Sequence, residues 1–213
     1  MSRAKTLSLL IIPILLAGCG GRGRSNGYVT VPPDPRRDSE QARRLNAQAV
    51  EKLSQDDLEA AEKLLKQSLE ADVFFGPGHN NLGTVYFRQQ KLYLAAWEFQ
   101  YAAKLMPNQA QPKNNLGLVF EQVRKYDQAQ ENYEAALALE PDNPEIIGNL
   151  ARLYVRTNRK DSRAYELLTE LVMKDTRPQW VNWAKQRLAT MHYLPECSSQ
   201  PAAIPPEATA PGP

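Results

Sequence analysis

Between residues 42 and 177 the apolar side chains fall three or four apart, and the whole pattern returns after 34 residues. Leu82, Gly83 and Tyr86 come back as Leu116, Gly117 and Phe120. Ala95, Phe99, Ala102 and Pro107 come back as Ala129, Tyr133, Ala136 and Pro141. Spacings of three and four place residues on one helical face, so each period predicts two amphipathic helices joined by a turn. A unit of that size cannot bury its apolar face alone and stacks on copies of itself. The small residues let the paired helix approach, and the neighbouring aromatic ring fills the space beside them. Pro107 and Pro141 are expected to close each second helix, because proline cannot extend the hydrogen-bond ladder. The pattern therefore predicts an all-α solenoid.

These residues resemble the tetratricopeptide repeat, most closely across 76–143. Extending the period outward gives four units, 42–75, 76–109, 110–143 and 144–177. The first keeps Ala49, Ala61 and Leu65, carries Ser68 in place of a third small residue, and replaces the Leu-Gly pair with Gln48-Ala49. The fourth keeps Leu150, Ala151 and Tyr154, then has Arg163 at the alanine position; Ala164 restores the motif if the turn gains a residue. Pro178 opens a further helical stretch, 178–194, with Val181, Ala184, Leu188 and Met191 as its stripe and Trp180 and Trp183 alongside. It reads as a helix capping the end of the stack.

The first eighteen residues follow a different pattern. Arg3 and Lys5 precede an apolar run, Leu7 to Leu16, too short to span a membrane as a helix. That is a secretory signal sequence. Leu16-Ala17-Gly18-Cys19 resembles the bacterial lipoprotein box, which implies cleavage before Cys19 and its lipidation, with more than one acyl chain giving stable anchoring. Gly20 in the following position resembles an outer-membrane address, so the expected location is the bacterial envelope, at the periplasmic face of the outer membrane. Residues 19–41, rich in Gly, Pro, Arg and Ser, read as the lipidated cysteine and a flexible tether of roughly 25 Å root-mean-square reach. Residues 195–213 carry six prolines and read as a disordered tail.

Charge excludes one class of partner. The chain has 26 basic and 24 acidic residues, and losing Arg3 and Lys5 with the signal leaves it balanced. General nucleic-acid binding requires a net basic surface. Lipidation of Cys19 leaves Cys197 without an internal partner.

Candidate chemistry is confined to binding. His79 and His192 do not form a metal-ligand spacing, and neither a phosphate-binding loop nor a nucleophile elbow is present. His79, ahead of a first helix, reads as a surface or capping residue. Neither enzyme activity nor a metal or other cofactor is expected. The resemblance implies instead a concave groove lined by first helices. Its residues would be Asn46 and Val50; Asn80, Thr84, Phe87 and Arg88; Asn114, Leu118, Glu121 and Gln122; and Arg152, Val155 and Arg156. Beside them runs a column of Asn81, Asn115 and Asn149. An asparagine offers donors and an acceptor, so the column either pairs with an extended peptide or bonds between helices. Arg152 and Arg156, one turn apart, either take a carboxylate or remain solvated near a helix C-terminus.

The expected function is that of a membrane-anchored scaffold binding a peptide or protein of the envelope through this groove. Lipobox and repeats together resemble lipoproteins that assist assembly of type IV or tight-adherence pili and their secretins, and adaptors that gather peptidoglycan hydrolases. A structural protein acting by self-association, with Trp180 and Trp183 as an exposed patch, is the rival reading.

Overall fold

The computed structural model describes residues 37–191. The signal sequence, Cys19, most of the tether, His192, Cys197 and the proline-rich tail lie outside the described residues. Nine α-helices and no strand occur among the described residues: α1 Ser39–Ser54, α2 Leu58–Ala71, α3 Gly76–Arg88, α4 Leu92–Leu105, α5 Ala110–Gln122, α6 Tyr126–Leu137, α7 Pro144–Arg156, α8 Ser162–Lys174 and α9 Pro178–Thr190. The fold is an all-helical solenoid of four helix pairs and a terminal helix.

Local chemistry sets the ends of these helices. Asp38, Asp57, Asn143 and Asp161 cap α1, α2, α7 and α8 by accepting from first-turn N–H groups. Pro77, Pro144 and Pro178 occupy first-turn positions where no N–H is needed. The turn inside each pair repeats a single device. Asp56, Gln90, Arg124 and Asn158, spaced by the same period, all take left-handed backbone conformations near φ 60° (58°, 60°, 59° and 57°). The N–H of the following residue then reaches back to the last turn, as Lys91 does to the Tyr86 carbonyl and Lys125 to the Phe120 carbonyl, both at 2.8 Å. This is a Schellman cap built without glycine.

Packing explains the small residues of the pattern. A Cβ at Gly83 would lie 2.7 Å from the Phe99 ring, and one at Gly117 would press still closer on the Tyr133 ring. Ala95, Ala102, Ala129 and Ala136 are fully buried. Two core clusters result, one around Leu65, Leu82 and Phe99, the other around Tyr133, Leu150 and Leu168, with Phe120 packed against both. Each first helix also touches the next first helix, α1 with α3, α3 with α5 and α5 with α7, whereas second helices make no contact of that extent. First helices therefore line the inner side of the stack, and second helices splay on the outer side.

Three differences from the sequence expectations have physical causes, and one conditional expectation, the lengthened turn before Ala164, is met. α1 begins at Ser39 rather than 42, because Asp38 caps it and its N–H donates to the Ala71 carbonyl at 2.8 Å; the last residues of the expected tether are thus helical. α6 ends at Leu137, four residues before Pro141, so the proline does not terminate it. In the fourth pair the turn is longer, and Ala164 rather than Arg163 reaches the core. Trp180 and Trp183 form no exposed patch. Half-buried against the second core cluster, they meet edge to face at 5.7 Å.

Candidate functional site

The inner face is held together by asparagine pairs between successive first helices. Asn81 Nδ2 donates to Asn46 Oδ1 at 2.8 Å, Asn115 to Asn80 at 3.0 Å, and Asn149 to Asn114 at 3.0 Å. Asn80, Asn114 and Asn149 are buried. One N–H of each column amide is thus engaged on the neighbouring helix, and Asn114 also donates to Glu145 at 3.3 Å. Of the two roles open to the column, the structure shows the bond between helices.

The arginines of α7 likewise already hold a carboxylate. Glu121 on α5 is 4% exposed. Arg152 reaches it with Nε and Nη2 at 3.3 and 2.9 Å, Arg156 approaches at 3.4 Å, and the Tyr133 hydroxyl donates to it at 2.9 Å. Burial first, then the Glu121 charge, pushes the Tyr133 phenol far above its ordinary value, so it remains a donor. Arg152 also lies over the Trp180 ring at 5.7 Å, tying α5 and α7 to α9. Glu121 is therefore a buried anchor rather than a ligand-facing group. Arg152 is neither free nor simply solvated, and Arg156 keeps about half its side chain in solvent, at 48% exposure.

The remaining candidate residues divide between structure and surface. Arg88 caps α1 by donating to the Leu53 carbonyl at 3.0 Å. Thr84 donates to the Asn80 carbonyl at 3.1 Å, and Phe87 is half-buried against the first cluster. Gln122 approaches Gln90 at 3.5 Å on the exposed edge. Val50 is exposed, while Leu118 and Val155 are half-buried and pack against the core on one side. The inner face thus offers accessible aliphatic and aromatic side chains, Val50, Phe87, Leu118 and Val155, flanked by Arg88, Gln122 and Arg156. Such a surface suits apolar contact with an adjacent polar rim.

Several features were missed at the level of sequence. His79 is not a surface residue; it is buried, with Nδ1 2.6 Å from Glu98 and Nε2 2.8 Å from the Val73 carbonyl, and it packs on Tyr101 at 4.5 Å. Its place in the period gave no warning, because its partners lie in the preceding loop and the paired helix. Tyr93 and Trp97 are 81% and 62% exposed on α4. A signal for these two existed: the flanking units carry Glu59 and Asp127, and Lys63 and Glu131, at the same positions. Among the described residues no group of three or more His, Cys, Asp or Glu is placed to hold a metal ion, and no helix is long and apolar enough to cross a membrane.

Comparison with known proteins agrees with this architecture. A family model described as tetratricopeptide repeat matches residues 122–182, from the end of α5 into α9. No curated protein matches the chain. Among solved structures, that from the functional characterization of Pseudomonas aeruginosa PilF is similar with a TM-score of 0.64 and 23% identity, covering 73% of this chain and 69% of that one. The first TPR of Spaghetti (RPAP3), bound to the HSP90 peptide SRMEEVD, is similar with a TM-score of 0.56 and 22% identity over 59% of this chain and 99% of that one. The Sgt2 TPR domain from Aspergillus fumigatus gives 0.56 and 17% over 59% and 85%. The chain thus carries a tetratricopeptide repeat domain and folds as a solenoid of the tetratricopeptide type.

Proposed function

We propose that this protein is a lipid-anchored docking scaffold of a bacterial envelope, which holds a peptide or helix of a partner protein along the inner face of its stack. The observation that carries this is the row of accessible apolar residues, Val50, Phe87, Leu118 and Val155, on successive first helices that are themselves locked by asparagine pairs. A face held rigid before binding loses less conformational freedom on binding. Cys19 carries the anchor, and the partner is bound rather than transformed. Likeness to the PilF structure favours a narrower form of the same reading, an assembly factor for type IV or tight-adherence pili or a secretin. The self-association reading loses the exposed patch expected at Trp180 and Trp183, which are half-buried.

Two variants test the proposal. Cys19→Ser is expected to move the protein from the membrane to the soluble fraction; retention in the membrane would contradict the anchor. Leu118→Asp is expected to abolish co-isolation of a partner crosslinked to the native chain while helicity stays unchanged. Undiminished co-isolation would place docking elsewhere.

A further inference from the structure

The outer side of the stack carries an aromatic groove that the proposed docking face does not use. It lies where α4 meets the turn between α5 and α6, with a volume of about 490 Å³. Tyr93, Trp97, Phe120 and Val123 give it apolar walls, and Gln100 and Gln128 give it amides. Lys125 closes one end; it is exposed and makes no ion pair among the described residues. No acidic residue lines the groove. The surface calls for a flat, apolar, extended segment followed by a carboxylate. Proline-rich segments meet the first requirement, since their rings stack in aromatic-lined grooves and their backbone carbonyls stay free to accept from amides.

The chain contains such a segment, Ile204-Pro205-Pro206-Glu207. We propose that this segment occupies the outer groove of its own chain, with Ile204, Pro205 and Pro206 against Tyr93 and Trp97 and Glu207 on Lys125. The exit point of the chain supports it. Met191 shares a cavity with Arg159 at the turn between α7 and α8, and Arg159 donates to Gln130 at 3.0 Å, two residues from Gln128 of the groove. The described chain therefore ends one repeat away from the groove, on the same edge of the stack. Twelve residues separate Met191 from Ile204, enough to reach about 40 Å when extended. Attachment to the same chain supplies an effective concentration on the order of millimolar, which offsets the small contact area.

The test uses the full chain carrying Cys19→Ser, Cys197→Ser and Ala203→Cys, labelled with bimane, a dye quenched by contact with tryptophan. The result expected is strong quenching that Trp97→Phe relieves, and that Lys125→Glu also relieves with Trp97 in place. Quenching should not change on dilution. Fluorescence indifferent to both substitutions would overturn the proposal. Quenching that grows with protein concentration would also overturn it, placing the segment in the groove of a second copy.

Discussion

Asn149 donates its side-chain amide to Asn114 across 3.0 Å, and both side chains are buried between α5 and α7. Removing one partner leaves the other a buried polar group without its bond, which costs about 1–3 kcal/mol. Asn149→Ala should lower stability by that amount, and combining it with Asn114→Ala should cost less than the sum of the two. A double-mutant cycle from urea unfolding reads this directly. Strict additivity would mean that the pair does not couple the helices.

Gly117 faces the Tyr133 ring and Gly83 faces Phe99, each closer than a methyl group tolerates. Gly117→Val should therefore push α6 away from α5 at a cost of roughly 1–3 kcal/mol. The thermal midpoint is the readout, and Gly148→Ala is the control. There the nearest atoms, on Leu171 and Trp180, lie at 3.5–3.6 Å, an ordinary contact distance.

Glu121 is buried beneath Arg152, Arg156 and Tyr133. Glu121→Gln keeps the shape but removes the charge that Arg152 faces, so stability should fall by about 2 kcal/mol at pH 7. Part of Arg152 is solvated, at 29% exposure, which keeps the loss below that of a fully buried pair. Glu121→Asp, too short to reach both arginines, should be intermediate in the same melt.

Left-handed residues in the four turns give a gain rather than a loss. Gln90 and Arg124 adopt φ 60° and 59°, which side chains with a Cβ disfavour. Replacing either with glycine should raise stability by roughly 0.5–1 kcal/mol in urea titration. A loss would show that their side chains carry weight in the turn.

Both ends of the stack respond to acid through related aspartates. Asp72 and Asp175 follow the second helices of the first and last pairs, accept from the N–H two residues on, and face Arg37 and Arg177. At Asp72 burial raises the carboxyl, but the Ser39 hydroxyl, the Phe74 N–H and Arg37 outweigh it and hold it below its ordinary range. At Asp175 the Arg177 bond dominates and lowers it against burial. A carboxyl depressed in the folded state stabilises above its unfolded value near 4 and loses that contribution as pH falls through the folded value. Melting temperature should thus drop below about pH 4, and Asp72→Asn should flatten the drop while lowering the plateau.

The fold was legible because its signal repeats. Leu82, Gly83, Ala95 and Phe99 recur at one spacing, and every copy votes for the same packing. The site was less legible. Whether Asn115 meets a ligand or Asn80 depends on the offset between neighbouring first helices, a tertiary quantity that no single unit encodes. Glu121 looked like a groove residue because its position faces inward; its burial depends on Arg152 and Trp180, which belong to other helices. His79 is engaged by Glu98 and Val73 outside the repeat pattern altogether. Tyr93 and Trp97 could have been found by asking which residues break the period rather than which keep it.

Docking on the inner face is tested most directly by photo-crosslinking in intact cells, with a benzophenone side chain placed singly at Val50, Leu118 or Val155 and, on the outer side, at Glu131 or Glu166. Inner positions should trap one and the same partner species, and outer positions should trap none of it. Equal capture from both sides, or capture from the outer side alone, would contradict a scaffold that binds through its first helices.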